Sequence, residues 1–318
     1  MKAKLPAFLQ NLFQKKATNE YIGVALYPTF IRIVKLKPDA EQDELACVFA
    51  EQYPLERPEQ LHELLNQVIV EQSLVGSNTV LIIPPDKVES VQIDMTELPV
   101  ADVQASLPWK LKDLVSIPPQ DMICDYIEMD IQPLGQQPKA QIMATSRQYI
   151  ESIIAPFHQH KVAIAGITTE QFVLARMQSI ENAAQLIYVQ HRDMAGILLI
   201  LKNQKICFAR KIRGTDAVIN MTPEQVKEYG ADMIAIEIQR SIDYYESQLK
   251  QPPIKDVLIA FPGDNEDLIQ DILNVNLPVK TSLAKAHAAV KDDTGKVSLM
   301  YLAALGGALY AHQEGGQA

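Results

Sequence analysis

Residues 23–36, GVALYPTFIRIVKL, decide the architecture of this 318-residue chain. Apolar and β-branched residues dominate on both sides of Pro28-Thr29. Tyr21–Tyr27 therefore reads as one strand and Phe30–Leu36 as a second, joined by a tight turn. Leu45–Gln52 follows as a third strand. Pro58–Gln72 then carries Leu61, Leu64, Leu65, Val68 and Ile69 at the spacing of an amphipathic helix, and Thr79–Ile83 is a short apolar strand stopped by Pro84-Pro85. The unit is strand, strand, strand, helix, strand.

The same order returns after residue 184. Gln185–Gln190, Gly196–Leu201 and Lys205–Ile212 are three strands, the last two joined at Lys202-Asn203. Thr222, Pro223 and Gln225 form the signature of a capping box with proline at the first helical position. The helix they open shows one stripe, Val226, Ile234, Ile238, Ile242, Tyr245 and Leu249, and Pro252-Pro253 ends it. Asp256–Phe261 is a strand turned at Pro262-Gly263, and a final helix, Ser298–His312, is capped by Ser298. Residues 86–161 stand outside the repeat. They read as strand Val88–Asp94, helix Val100–Val115, strands Cys124–Ile131 and Ala140–Thr145 joined through Pro133, Gly135 and Pro138, and helix Arg147–His160; Val162–Thr168 and the helix Glu170–Gln178 rejoin the main body.

A unit doubled in this way resembles the actin-like, ribonuclease-H-type α/β fold, in which two halves face each other across a cleft. Here the first half would carry an α/β insert subdomain. The expected division is a basic amphipathic segment (1–16), a first half (17–85 and 162–184) on which the C-terminal helix 298–312 packs, the insert (86–161), a second half (185–297) and a tail (313–318).

A hydrophobic content of 47% excludes a disordered chain, and a net charge of -10 argues against a nucleic-acid partner, which needs a basic face. Cys47, Cys124 and Cys207 lie 77 and 83 residues apart with no CxxC pair, so a disulfide framework is not expected and a reducing, cytoplasmic setting fits. His158 and His160 point to opposite sides of a helix and His191 stands alone, so no metal site is expected. No P-loop, GxGxxG motif or Ser–His–Asp order occurs. No stretch reaches the ~20 apolar residues of a spanning helix. Lys2, Lys4, Lys15 and Lys16 give residues 1–16 a charge of +4, leaving -14 on the other 302 residues. Leu5, Phe8, Leu9, Leu12 and Phe13 form one apolar helix face there. Three readings of this tip stand side by side: folded onto the body, packed on a partner, or lying on an anionic membrane surface.

The opening hairpin, the insert segment LPWKLKDLVSIPPQDMICDY (107–126), the helix EIQRSIDYYESQL (237–249) and the closing YLAALGGALY (301–310) together resemble the PilM-like proteins of type IV pilus assembly, and within them the MshI type of mannose-sensitive haemagglutinin (MSHA) pilus biogenesis. The resemblance covers the chain from about residue 20. It implies a cytoplasmic protein peripheral to the inner membrane, which docks the short cytoplasmic tail of a PilN-like inner-membrane protein among other platform components. It also implies an insert of the kind seen in the cell-division actin homologue.

The resemblance also implies where a nucleotide would bind. Actin-like ATPases hold phosphates on two glycine-containing hairpins, each with an aspartate for Mg²⁺. The first hairpin motif, Gly-x-Asp-x-Gly-Ser-x-x-x-Lys, aligns with Gly23, Ala25, Tyr27, Pro28 and Arg32, with Thr29 beside them in the turn. The second, Asp-x-Gly-x-x-x-Thr, aligns with Tyr188, Gln190 and Met194. Asp193 would supply a carboxylate only after a register shift. The adenosine turn is Pro262-Gly263. Glu237 and Arg240 match the family helix that faces the nucleotide, and serve either in residual binding or as an i,i+3 ion pair. Ala25, Tyr27 and Gln190 argue against ATP, so no cofactor is expected. The expectation is a degenerate cleft, a pseudo-ATPase scaffold and not an enzyme. The competing expectations are an actin-like protein that still binds or hydrolyses ATP, or a filament former. The partner groove is expected between the first half and the insert, with Trp109, Leu111, Leu114 and Ile117 as groove or core residues.

Overall fold

The computed structural model describes residues 19–39, 44–94, 103–129, 131, 139–178, 183–192, 194–284, 290–292, 294 and 299–315. The tip segment 1–16, the turn residues Pro133, Gly135 and Pro138, Asp193 and the cap Ser298 lie outside them.

The first half is a six-stranded sheet in the order β14-β3-β2-β1-β4-β8. Strands β1 (Tyr21–Leu26), β2 (Phe30–Pro38) and β3 (Leu45–Pro54) form an antiparallel meander, and β4 (Asn78–Ile83) and β8 (Ala163–Thr169) run parallel to β1. Hairpin register pairs Ala25 with Arg32 and Leu26 with Ile31, so the turn falls where the sequence places it, around Pro28-Thr29. β1 is buried along its whole length and reads as the continuous apolar run of a central strand.

The second half repeats this as β11-β10-β9-β12-β13. β9 (Gln185–Val189), β10 (Gly196–Lys202) and β11 (Lys205–Ile212) are the meander; β12 (Asp256–Ala260) and β13 (Lys280–Leu283) add in parallel. A three-stranded insert sheet, β5-β7-β6, is built from β5 (Glu89–Asp94), β6 (Met122–Glu128) and β7 (Lys139–Ser146), with helix α2 (Val103–Lys110) against it. Leu107, Leu111, Val115, Met122 and Ile142 fill that small core.

The two large sheets are covered outside and joined inside. Helices α1 (Leu61–Glu71) and α3 (Arg147–Gln159) cover the first sheet, burying Leu65, Val68, Ile69, Ile150, Ile154 and Phe157. On the second, the helical run opened by Thr222 passes through a π-turn into α5 (Ala231–Asp243), beside α6 (Glu266–Asn276). All six stripe residues read from the sequence, from Val226 to Leu249, are buried there. The capping box is formed: the Thr222 hydroxyl accepts from the Gln225 amide, and the Gln225 side chain accepts from the Thr222 amide at 3.0 Å. Between the sheets lie α4 (Glu170–Met177) and α7 (Leu302–Gly315), their apolar residues shared by the two inner cores.

Gly23 decides how closely α7 sits. A Cβ on Gly23 would lie 1.8 Å from the carbonyl oxygen of Ala304, so only glycine admits the helix at this depth. The C-terminal helix thus packs on the first half, against β1.

Three readings change. The helix expected over Val100–Val115 leaves helical geometry after Lys110, just beyond Pro108 within it, and continues as turns. Helix α3, grouped with the insert by a boundary at 161, turns its apolar face to α1 and belongs to the first-half core. Strand β14 (Val290–Asp292), counted in the second half, pairs with β3 at the edge of the first sheet, where Lys291 meets Asp39 at 3.4 Å.

Candidate functional site: the interlobe cleft and the insert groove

The β1–β2 turn and the β9–β10 turn face each other between the halves. Tyr27 comes from the first turn and His191 from the second. Their rings stand 4.8 Å apart, and both side chains are buried. Glu170, the first residue of α4, lies between them at 3% exposure. His191 Nε2 sits 2.8 and 2.9 Å from its two carboxylate oxygens, and the Tyr27 hydroxyl donates to it at 3.4 Å. A buried carboxylate needs such partners, because desolvation without them is costly. Burial, with the charge of Glu170 beside it, pushes the Tyr27 hydroxyl well above its ordinary pKa, so it stays a neutral donor.

Gln190 closes its own hairpin. Its side-chain oxygen accepts from Tyr188 and Thr215 at 2.7 and 2.8 Å, and its nitrogen donates to the carbonyls of His191 and Met194 at 2.8 and 2.7 Å. All four hydrogen-bonding positions of the amide are used, so it offers nothing to a ligand. Arg32 is 1% exposed. It lies over the Phe30 ring at 4.3 Å, donates from Nε to Gln52 at 2.9 Å, and donates from Nη1 to the Met300 carbonyl. It ties the start of the C-terminal helix to the first sheet. Thr29 is exposed at the turn tip, where its carbonyl accepts the Leu55 amide at 2.7 Å. Gly263 takes φ +109°, which favours glycine, with open space around it. Glu237 bridges two arginines: Arg240 of its own helix at 2.7 Å and Arg210 of β11 at 2.8 Å.

A second concavity lies between the insert and the first half and encloses about 320 Å³. One wall is β6 and β7, with Ile123, Tyr126 and Met143. The other is the end of β8 and α4, with Ile167, Phe172 and Arg176. β6 and β8 are each the last strand of their sheet, so the groove runs between two sheet edges. The Arg176 guanidinium stacks on Tyr310 at 4.3 Å. Cys124 lines the same wall, and burial pushes its thiol up to about 12. None of Cys47, Cys124 and Cys207 is joined in a disulfide.

The chain matches no protein-family model and no curated protein sequence. Among solved structures it is similar to the PilM-PilN type IV pilus biogenesis complex, with a TM-score of 0.65 and 14% identity over 92% of this chain and 98% of that one. It is also similar to the cytoplasmic domain of EpsL, an inner-membrane component of the type II secretion system of Vibrio cholerae (TM-score 0.48, 14% identity, 94% and 95% covered). A third is the ethanolamine utilization protein EutJ from Carboxydothermus hydrogenoformans (TM-score 0.49, 11% identity, 95% and 93% covered).

The fold is actin-like, of the kind seen in that PilM-PilN complex.

Against that fold, the cleft residues read from the sequence fall into three groups. Arg32 and Gln190 are buried in the two facing hairpins but bonded to the protein itself. Glu237 and Arg240 are joined in an ion pair. Thr29 and Gly263 are exposed. Of the partner candidates, Leu111 is 0% exposed and belongs to the insert core, with Ile117 packed on it; neither lines the groove. Trp109 and Leu114 are exposed at 66% and 55%, also outside the groove. The tip residues Leu5 to Phe13 lie outside the described residues. Glu170 escapes a sequence reading, because its partners are 21 and 143 residues away. His191, alone in the sequence, is paired in the fold. Among the described residues no group of three metal-ligating side chains forms, and no helix is long and apolar enough to cross a membrane.

Proposed function

We propose that the chain is a non-catalytic scaffold of a type IV pilus assembly platform. It holds the cytoplasmic tail of a PilN-like inner-membrane protein in the groove between insert and first half, and its nucleotide cleft is degenerate. The observation that carries this reading is the filling of the cleft by Tyr27, Glu170 and His191. A tyrosine ring occupies the turn where backbone would have to meet phosphate, and a buried carboxylate stands where phosphates would bring like charge. The likeness to a PilM that is bound to PilN supports the choice of platform and partner. The groove supports the mode: a short extended peptide is recognised by sheet edges together with side-chain pockets. On the sequence resemblance we place the chain with the MshI type of MSHA pilus biogenesis, cytoplasmic and peripheral at the inner membrane. The tip 1–16 adds attraction of ~1 kcal/mol per lysine to an anionic surface.

A synthetic N-terminal peptide of a PilN-like protein from the same organism is expected to bind the purified protein at micromolar concentration in calorimetry, and Phe172→Asp in the groove wall to abolish the heat. No heat at several hundred micromolar peptide would overturn the reading.

A further inference from the structure

We infer that Tyr27, Glu170 and His191 form a latch that keeps the two halves closed on each other without any ligand. Proteins built of two lobes commonly close when a ligand touches both sides of the cleft. In this chain the protein's own side chains make those contacts. Glu170 receives His191 from the second half and Tyr27 from the first, all three are buried, and the two rings are in contact across the gap. His191 Nδ1 has no hydrogen-bond partner, so this imidazole is committed through Nε2 to the carboxylate. A second tie runs the same way at the rim, where Lys211 of β11 donates to the Pro85 carbonyl at 2.8 Å.

The latch also fixes a wall of the groove. Glu170 is the first residue of α4, and Phe172, Val173 and Arg176 of that helix line the groove. Holding the helix start in one place preorganises that wall, whichever ligand it takes. The latch itself does not depend on the pilus reading.

Hydrogen exchange on the intact chain, read by mass spectrometry over residues 23–33 and 189–198, tests it. Glu170→Gln keeps the shape and removes the charge; His191→Ala removes the partner. Each is expected to speed exchange in both hairpins together, roughly tenfold or more, with the two hairpins exchanging well before α5, because local opening is cheaper than global unfolding. Tyr27→Phe, which loses only the long hydroxyl contact, is expected to give a two- to threefold change, of the order of a weak hydrogen bond. Faster exchange confined to residues 189–198 in His191→Ala, or no change in either hairpin in Glu170→Gln, would overturn the inference. If His191→Ala does not fold, the isosteric Glu170→Gln decides alone.

Discussion

The gap between the halves and the gap between first half and insert share one boundary, the junction of β8 and α4. Thr169 and the helix beyond it line the groove, whereas Glu170 turns into the cleft. The first gap is closed by a carboxylate that takes contacts from an imidazole and a phenol. The second stays open, at about 320 Å³, between two sheet edges with apolar walls. The two α/β halves therefore meet across a gap filled by their own side chains, and an open groove lies beside it on the other side of the same helix start. The difference lies in a few residues and not in the fold.

The contrast can be broken most strongly from the cleft side. His191→Ala would leave Glu170 buried without its main partner, a change that typically costs ~3–5 kcal/mol, read as a lower midpoint in urea denaturation. Gly23→Ala would push α7 off β1, where the added Cβ meets the Ala304 backbone, and should cost ~1–3 kcal/mol or more by the same measurement. Arg176→Glu, on an exposed groove residue that stacks on Tyr310, should cost about 0.5–1 kcal/mol of stability and weaken tail-peptide binding about tenfold in calorimetry. A smaller effect concerns Cys124. With its thiol at about 12, alkylation by iodoacetamide should be slow at pH 8 and rise about tenfold per pH unit through pH 10, because only the thiolate reacts. A saturating groove peptide should slow it further.

How much of this the sequence carries depends on the range of the interaction. The two meanders, the helix stripe and the capping box are local and periodic, and all appear in the structure at the residues that signal them. β13 escapes notice because KTSL is four residues at a sheet edge with a single large apolar side chain, so neither length nor alternation marks it. The helix before it, α6, carries its own apolar pair, Ile269 and Leu273, yet follows a turn that reads as the end of the repeat. Trp109 and Leu111 show the limit of reading a helix without its neighbours: Leu107, Leu111 and Val115 recur every four residues and face the sheet, which leaves Trp109 outside. The cleft is the opposite case. The sequence resemblance marks Tyr27 and Gln190 as departures from the actin-like ATPase pattern, but the pairing of His191 with Glu170 exists only once the second half is folded against the first.

The central claim is that side chains fill the place of a nucleotide. Its most direct test is the melting temperature of the intact chain in millimolar Mg-ATP. A ligand that binds only the folded state stabilises it by ~2.7 kcal/mol at a hundred times its dissociation constant, which is several degrees for a domain of this size. The account predicts a melting curve unchanged by Mg-ATP. A saturable rise of a few degrees, lost in Arg240→Ala, would contradict it.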